Sequence, residues 1–174
     1  MVKGYEWLGT VGVLPKMVSI GLSTMGIEEI PGPRSRKEIM DWAVFLGLDK
    51  VYTNDDIAWC GLWMAYISVS SGRDHVKNPL WARNWQNWGK HIRKPELGAI
   101  CVFGRGHGGH VGIYIAEDAT HYHVLGGNQG NRVSIVRIEK KRLLAARIPE
   151  YRNKPASARP YIVAPNGTVS VNEA

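Results

Sequence analysis

The 174-residue chain is 44% hydrophobic and 9% aromatic, enough apolar mass for one domain with a sizeable core, and this excludes a globally disordered chain. A net charge of +7 favours anionic partners, yet the positive residues are scattered, with small clusters only at Arg34–Lys37 and Lys140–Arg142. No zinc-finger, basic-zipper or RNA-recognition pattern accompanies them, so the charge reads as solvated surface and not as a nucleic-acid stripe.

The apolar stretch Val11–Leu22 is interrupted by Pro15 and Lys16 and lacks the positive start and small-residue cleavage site of a secretory signal. No run reaches the roughly 18–20 apolar residues that a membrane span needs. The expectation is a cytoplasmic monomer with no stable membrane insertion, whose access to any outside target needs another protein. Residues 1–14 read as an N-terminal arm. Pro15 then opens a helix carrying Met17, Ile20 and Met25 near one face, with Gly26 as its stop. After the extended loop "EEIPGPRS", Ser35 and Glu38 form a capping-box pattern for a second helix that Gly47 ends. The third begins at "DDIAWCGLWMAYIS", with Asp55 or Asp56 as cap, and fades by Gly72. Asn78-Pro79 starts a fourth, in which Trp81, Trp85 and Trp88 recur at i, i+4 and i+7.

Beyond Pro95 the period changes. The runs 97–104, 110–118, 120–127 and 132–138 are short, rich in β-branched and aromatic residues and divided by Gly, Asn and Asp, which predicts a meander of antiparallel strands. "EKKRLLAARI" adds a final edge strand. From Pro149 the composition turns to Pro, Ser, Asn and charge, the signature of a C-terminal arm or tail over 149–174. Helices followed by a meandering sheet make the domain at 15–148 α+β.

Cys60 stands out because it lies at a helix start. A cysteine reacts as thiolate, and a helix N-terminus with a neighbouring imidazolium supplies the positive potential that favours that form. The base candidates are His107 and His110 in "GRGHGGHVGIYIAED". Alternation along that strand puts Val111, Ile113 and Ile115 on one face and His110, Gly112 and Tyr114 on the other, and the flanking glycines leave room around the imidazole. An imidazole base needs its second nitrogen held so that the correct tautomer faces the thiol. The turn "LGGNQGN" offers two amides for this, Asn128 and Gln129. Two cysteines are too few for a disulfide framework, and Cys101, inside "AICVF" with no adjacent histidine, reads as core.

"DDIAWC" at the head of a helix, "WARNWQNWGK", "LGAICVFGRGHGGHVGIYIAED" and "HVLGGNQGNRVSI", in that order, resemble the NlpC/P60 and CHAP cysteine peptidases, especially the small subfamily of phage endolysins and prophages. The likeness covers roughly 15–148, and "GIEEIPGP" fits that subfamily's leading segment. The resemblance implies a papain-like α+β core that cleaves a peptide or amide bond in bacterial peptidoglycan, as an endopeptidase or an N-acetylmuramoyl-L-alanine amidase. It makes Cys60 the nucleophile, His110 the general base and Asn128 the polar third member. Asp56 and Gln129 would support them, with Trp59 and Trp63 as groove walls. It implies peptidoglycan as partner, no cofactor, and release from the (host) cytoplasm to the wall by a holin or other export partner. The chain departs from the subfamily in Ala58, where a proline is usual, in Ala99, where an aspartate is usual, and in Gly126, where some CHAP enzymes carry a glutamate.

Two other classes compete with this reading. One is a wall-binding module with the same fold and no turnover. The other is a zinc hydrolase built on His121 and His123 with His107 or His110, for which no carboxylate or cysteine partner has fitting spacing.

Overall fold

The computed structural model describes residues 2–171. Helices α1 (Lys16–Ser23), α2 (Lys37–Phe45) and α3 (Cys60–Ser70) precede six strands: β1 (Lys90–Ile92), β2 (Ile100–Arg105), β3 (Gly108–Glu117), β4 (His121–Gly126), β5 (Ser134–Glu139) and β6 (Leu143–Ile148). The strands form one antiparallel sheet in the order β1-β6-β2-β3-β4-β5, so the chain is α+β as its composition pattern predicts. The β2 to β5 meander is present. The final strand, expected at an edge, instead returns to lie between β1 and β2. A short strand at Lys90–Ile92, which no sequence pattern marked, takes the outer position.

Alternation along the central strands builds two cores. Val102, Val111, Ile113, Ile115 and Leu125 face the helices and join Leu62, Trp63, Met64 and Ile67 of α3 in the larger one. Cys101, Phe103, Tyr114 and Val124 occupy the opposite face in a smaller one. Burial of a helix on nearly every side explains why α3 is apolar almost throughout, since no face of it needs to meet water.

Three local expectations are corrected. Ser35 and Glu38 do not cap α2: the Ser35 hydroxyl accepts from Asp55 N–H at 3.4 Å, and no side chain caps the helix at its Arg36 start. Asp55 does not cap α3 either. Its carboxylate accepts from the backbone N–H groups of Ile30 (3.1 Å) and Arg36 (2.7 Å), tying the leading loop to the start of α2. The expected fourth helix is a 3-10 segment, Ala82–Asn87, because the Trp85 indole and the Asn84 amide take the Pro79 and Asn78 carbonyls. With about three residues per turn the three tryptophans no longer share a face. Trp85 and Trp88 are buried and Trp81 is 67% exposed.

The terminal segments pack on the domain. Tyr5 and Leu8 are buried, and Trp7 lies against Tyr161 with ring centroids 4.7 Å apart. Val163 N–H donates to the Glu117 carbonyl, and residues 168–170 pair alongside Arg137 on β5. No helix among the described residues is long and apolar enough to cross a membrane.

Candidate active site

Cys60 is the first residue of α3, and Trp59, immediately before it, is fully buried. The Trp59 indole N–H donates to Glu29 Oε2 at 2.9 Å, which anchors the approach to the helix. Burial raises the Glu29 carboxyl above its ordinary value, the indole bond opposes this, and the nearby Asp55, Asp56 and Glu28 charges add to the rise. No side chain caps α3, and its first backbone bond runs from Trp63 N–H to Trp59 C=O, so the positive end of the helix dipole opens at the cysteine. Gly61 is required at the next position. A Cβ there would stand 2.3 Å from the Pro79 oxygen and 2.7 Å from the Leu80 oxygen. That close passage brings residues 79–82 across the head of the helix.

The cleft beside the thiol, about 370 Å³, is lined by Ile57, Cys60 and Trp81 on one side and by Arg105, Gly108 and Gly109 of the β2–β3 hairpin on the other. Larger hollows of about 430 Å³, around Arg73 and Trp88 and around Tyr5 and Leu22, border no cysteine. Arg83 ties the two walls together by donating from Nε to the Gly108 carbonyl at 2.7 Å and from a terminal nitrogen to the Gly106 carbonyl at 3.1 Å.

His110 follows Gly109 on β3 and is 1% exposed. The registered pairing of β3 with β4 runs from Ile113, so at His110 the neighbour is the turn after β4. Its Nε2 lies 2.9 Å from Gln129 Oε1. The Gln129 amide nitrogen donates to two carbonyls, Val124 at 3.1 Å and Ser134 at 2.5 Å, and this fixes which end of the amide meets the ring. An amide oxygen only accepts. The proton of a neutral His110 therefore sits on Nε2, and Nδ1 carries the lone pair of a base.

The resemblance implies Asn128 beside the imidazole; the amide that meets the ring is that of its neighbour Gln129. Asn128 is buried in a left-handed conformation, φ 56°, and turns the chain so that the next side chain reaches the imidazole. Both amides were visible in the sequence, but a one-residue difference in which side chain points at the ring is set by the turn. Glycines at the two preceding positions leave the space. A Cβ on Gly126 would lie 2.8 Å from Gln129 Oε1 and 3.2 Å from His110 Nε2, and one on Gly127 would meet Trp63 and Trp59 at 2.6 and 2.7 Å. The turn thus rests on the tryptophans that bracket Cys60. Trp59 and Trp63, expected as groove walls, lie beneath the site, the latter donating to Thr24 Oγ1 at 2.9 Å. Asp56 is exposed, its N–H donates to Asn54 Oδ1 at 3.1 Å, and its side chain does not cap α3. The exposed aromatic ring at the cleft is Trp81, the member of the tryptophan stripe that the 3-10 geometry leaves outside the core.

The two histidines of β4 are engaged elsewhere. His123 is fully buried, with Nε2 3.1 Å from Asp118 Oδ2 and Nδ1 2.7 Å from the Tyr5 hydroxyl. Asp118 also accepts from Arg137 Nε at 2.7 Å and from the backbone N–H groups of Thr120 and His121. Burial pushes the Asp118 carboxyl up, but these donors together outweigh it and hold the group well below the usual carboxylate range. Burial likewise depresses His123, against the opposing pull of Asp118, and raises Tyr5 to about 12. His121 lies beside the same aspartate, and His107 is exposed in the hairpin turn. Among the described residues no group of three or more His, Cys, Asp or Glu is placed to hold a metal ion. Burial pushes the Cys101 thiol far up, which suits packing in the smaller core.

Neither a family model nor a curated protein matches the chain.

Proposed function

We propose that the chain is a peptidoglycan hydrolase of the thiol type, with a papain-like NlpC/P60 core. The observation that carries this reading is the His110–Gln129 bond, whose amide orientation fixes the base tautomer of a buried imidazole one residue along β3 from Gly109, which lines the cleft with Cys60. In the proposed reaction Cys60 gives its proton to His110 Nδ1 and attacks the scissile carbonyl. The C–N bond breaks as the imidazolium returns that proton to the leaving amine. Water, deprotonated by the same ring, then hydrolyses the thioester and restores the thiol. Gln129 Oε1 steadies the imidazolium through Nε2–H. The start of α3 favours both the thiolate and, through the Cys60 N–H, the developing oxyanion.

The +7 net charge suits an anionic wall polymer, an attraction that salt weakens. Action on the wall from a cytoplasmic site of synthesis requires a holin or another export partner. The deciding experiment uses isolated sacculi. Wild-type protein is expected to clear them in the presence of chelator and to lose this activity on thiol alkylation, and Cys60→Ala is expected to sediment with them without clearing. Clearing by Cys60→Ala would remove the thiol from the mechanism. Binding without clearing by the wild type would make the chain a wall-binding module.

A further inference from the structure

We propose that Trp81 is the platform on which a sugar ring of the wall glycan stacks, so that the bond cut is the amide between the glycan's lactyl group and the first residue of the peptide stem. This rests on the thiol-hydrolase reading above and adds to it the bond and the residue that selects it.

Trp42, Trp59, Trp63, Trp85 and Trp88 are buried and Trp7 is partly so, whereas Trp81 is 67% exposed, the only exposed tryptophan among the described residues. It lines the cleft that holds Cys60, with Ile57, another partly exposed apolar side chain, on the same wall. Its backbone is fixed on both sides: Trp81 N–H donates to the Asn78 carbonyl at 3.2 Å, and Asn84 N–H donates to the Trp81 carbonyl at 3.0 Å. Asn78 holds a left-handed φ of 52°, and Gly61 permits the close passage that sets this segment over the helix head. A large apolar ring left in water on an ordered backbone beside a reactive group is a prepared contact, since nothing in the fold requires its exposure.

The occupant follows from the polymer's chemistry. Peptidoglycan stems consist of alanine, acidic residues and diamino acids, whose apolar parts are methyl groups and narrow flexible methylene chains and none of which offers a broad rigid face. The C–H face of an amino sugar is the broad flat surface that matches an indole. Placing the sugar beside the thiol puts the lactyl carbonyl within the cleft. Cys60 Sγ bonds to that carbon, the C–N bond breaks, and the stem leaves with a free α-amine that takes its proton from His110. Water then releases the lactyl carboxylic acid.

The test titrates Cys60→Ala protein calorimetrically with a disaccharide–tetrapeptide and with the same tetrapeptide lacking its sugars. The sugar-bearing ligand is expected to bind about tenfold tighter, Trp81→Ala is expected to erase that difference, and Trp81→Phe to keep most of it. With the active protein, digestion of sacculi is expected to release free N-terminal alanine, and Trp81→Ala to raise KM more than it lowers kcat. Equal or absent binding of the two ligands, a preference that survives Trp81→Ala, or fragments cut within the stem would overturn the inference while leaving the thiol hydrolase intact. Clearing of sacculi by Cys60→Ala would instead overturn the parent reading.

Discussion

Replacing Gln129 by alanine separates the geometry from the assignment implied by resemblance. The amide makes three hydrogen bonds: its oxygen accepts from His110 Nε2 at 2.9 Å, and its nitrogen donates to the Val124 and Ser134 carbonyls. In the proposed reaction the ring becomes an imidazolium, so the bond to Oε1 becomes charge-assisted, the kind worth about 1.5–3 kcal/mol. At about 1.36 kcal/mol per decade, its loss lowers kcat roughly ten- to hundredfold. The abandoned Val124 carbonyl and the ring N–H are buried and the Ser134 carbonyl partly so, and the two buried groups together cost about 2–6 kcal/mol of folding stability. Asn128→Ala disturbs something different. Alanine at φ 56° costs about 1–2 kcal/mol, and the imidazole keeps its partner, so kcat falls by less than about threefold. Asn128→Gly removes most of that strain. Turnover of isolated wall fragments, measured with urea-unfolding curves for each variant, supplies both quantities. A larger kcat loss in Asn128→Ala than in Gln129→Ala would refute the argument, as would wild-type kcat in folded Gln129→Ala.

Other expectations use the same measurements. Trp59→Ala should cost about 3–5 kcal/mol, whereas Trp81→Ala, cut from a ring 67% exposed, should stay within about 0.5 kcal/mol; equal losses would mean that the burial difference is wrong. Gly61→Ala should destabilise by about 1–3 kcal/mol and lower activity as well, because its Cβ would lie 2.3 Å from a backbone oxygen of the segment carrying Trp81; a neutral change would contradict that contact. Asp118→Ala strands the buried side of Arg137 and His123 and should cost about 3–5 kcal/mol. The pH profile of the thermal midpoint follows from the same network. His123 is depressed below its ordinary 6.5, so the unfolded chain binds that proton more readily and stability falls as pH drops below about 6.5. Tyr5 is raised to about 12 from 10.0, so its contribution is whole below pH 10 and is lost as pH climbs towards 12. Tyr5→Phe should shrink the alkaline loss without removing it, since burial also raises Tyr52 and Tyr114; a flat profile from pH 5 to 11 would contradict both statements.

Much of this molecule is written locally. Gly47 and Gly72 end their helices at positive φ, and the alternation of Val111, Ile113 and Ile115 against Tyr114 separates the two cores. Cys60 at a helix start and His110 on a glycine-flanked strand were legible for the same reason, because period and punctuation operate over a few residues. What escaped depends on partners distant in sequence. The return of β6 beside β2 is a choice among sheet edges that no local pattern encodes. Asp55, read as a cap for the helix that follows it, serves amides some twenty residues earlier. Trp81 fitted a helical stripe, and only the capture of the Pro79 carbonyl by Trp85 tightened that stretch and turned the ring outward. Gln129 and Asn128 are chemically alike, and the left-handed turn decided between them.

The two flanks of the sheet bear on how the protein behaves at high concentration. One ends in a three-residue strand that begins with Lys90, and the other is overlaid by the parallel pairing of residues 168–170 with Arg137. Neither margin offers a long uninterrupted ladder for a second molecule to extend the sheet. Trimming the chain before Thr168 uncovers the Arg137 N–H and C=O on the outer side of β5, and it is there that self-association of a shortened protein would start.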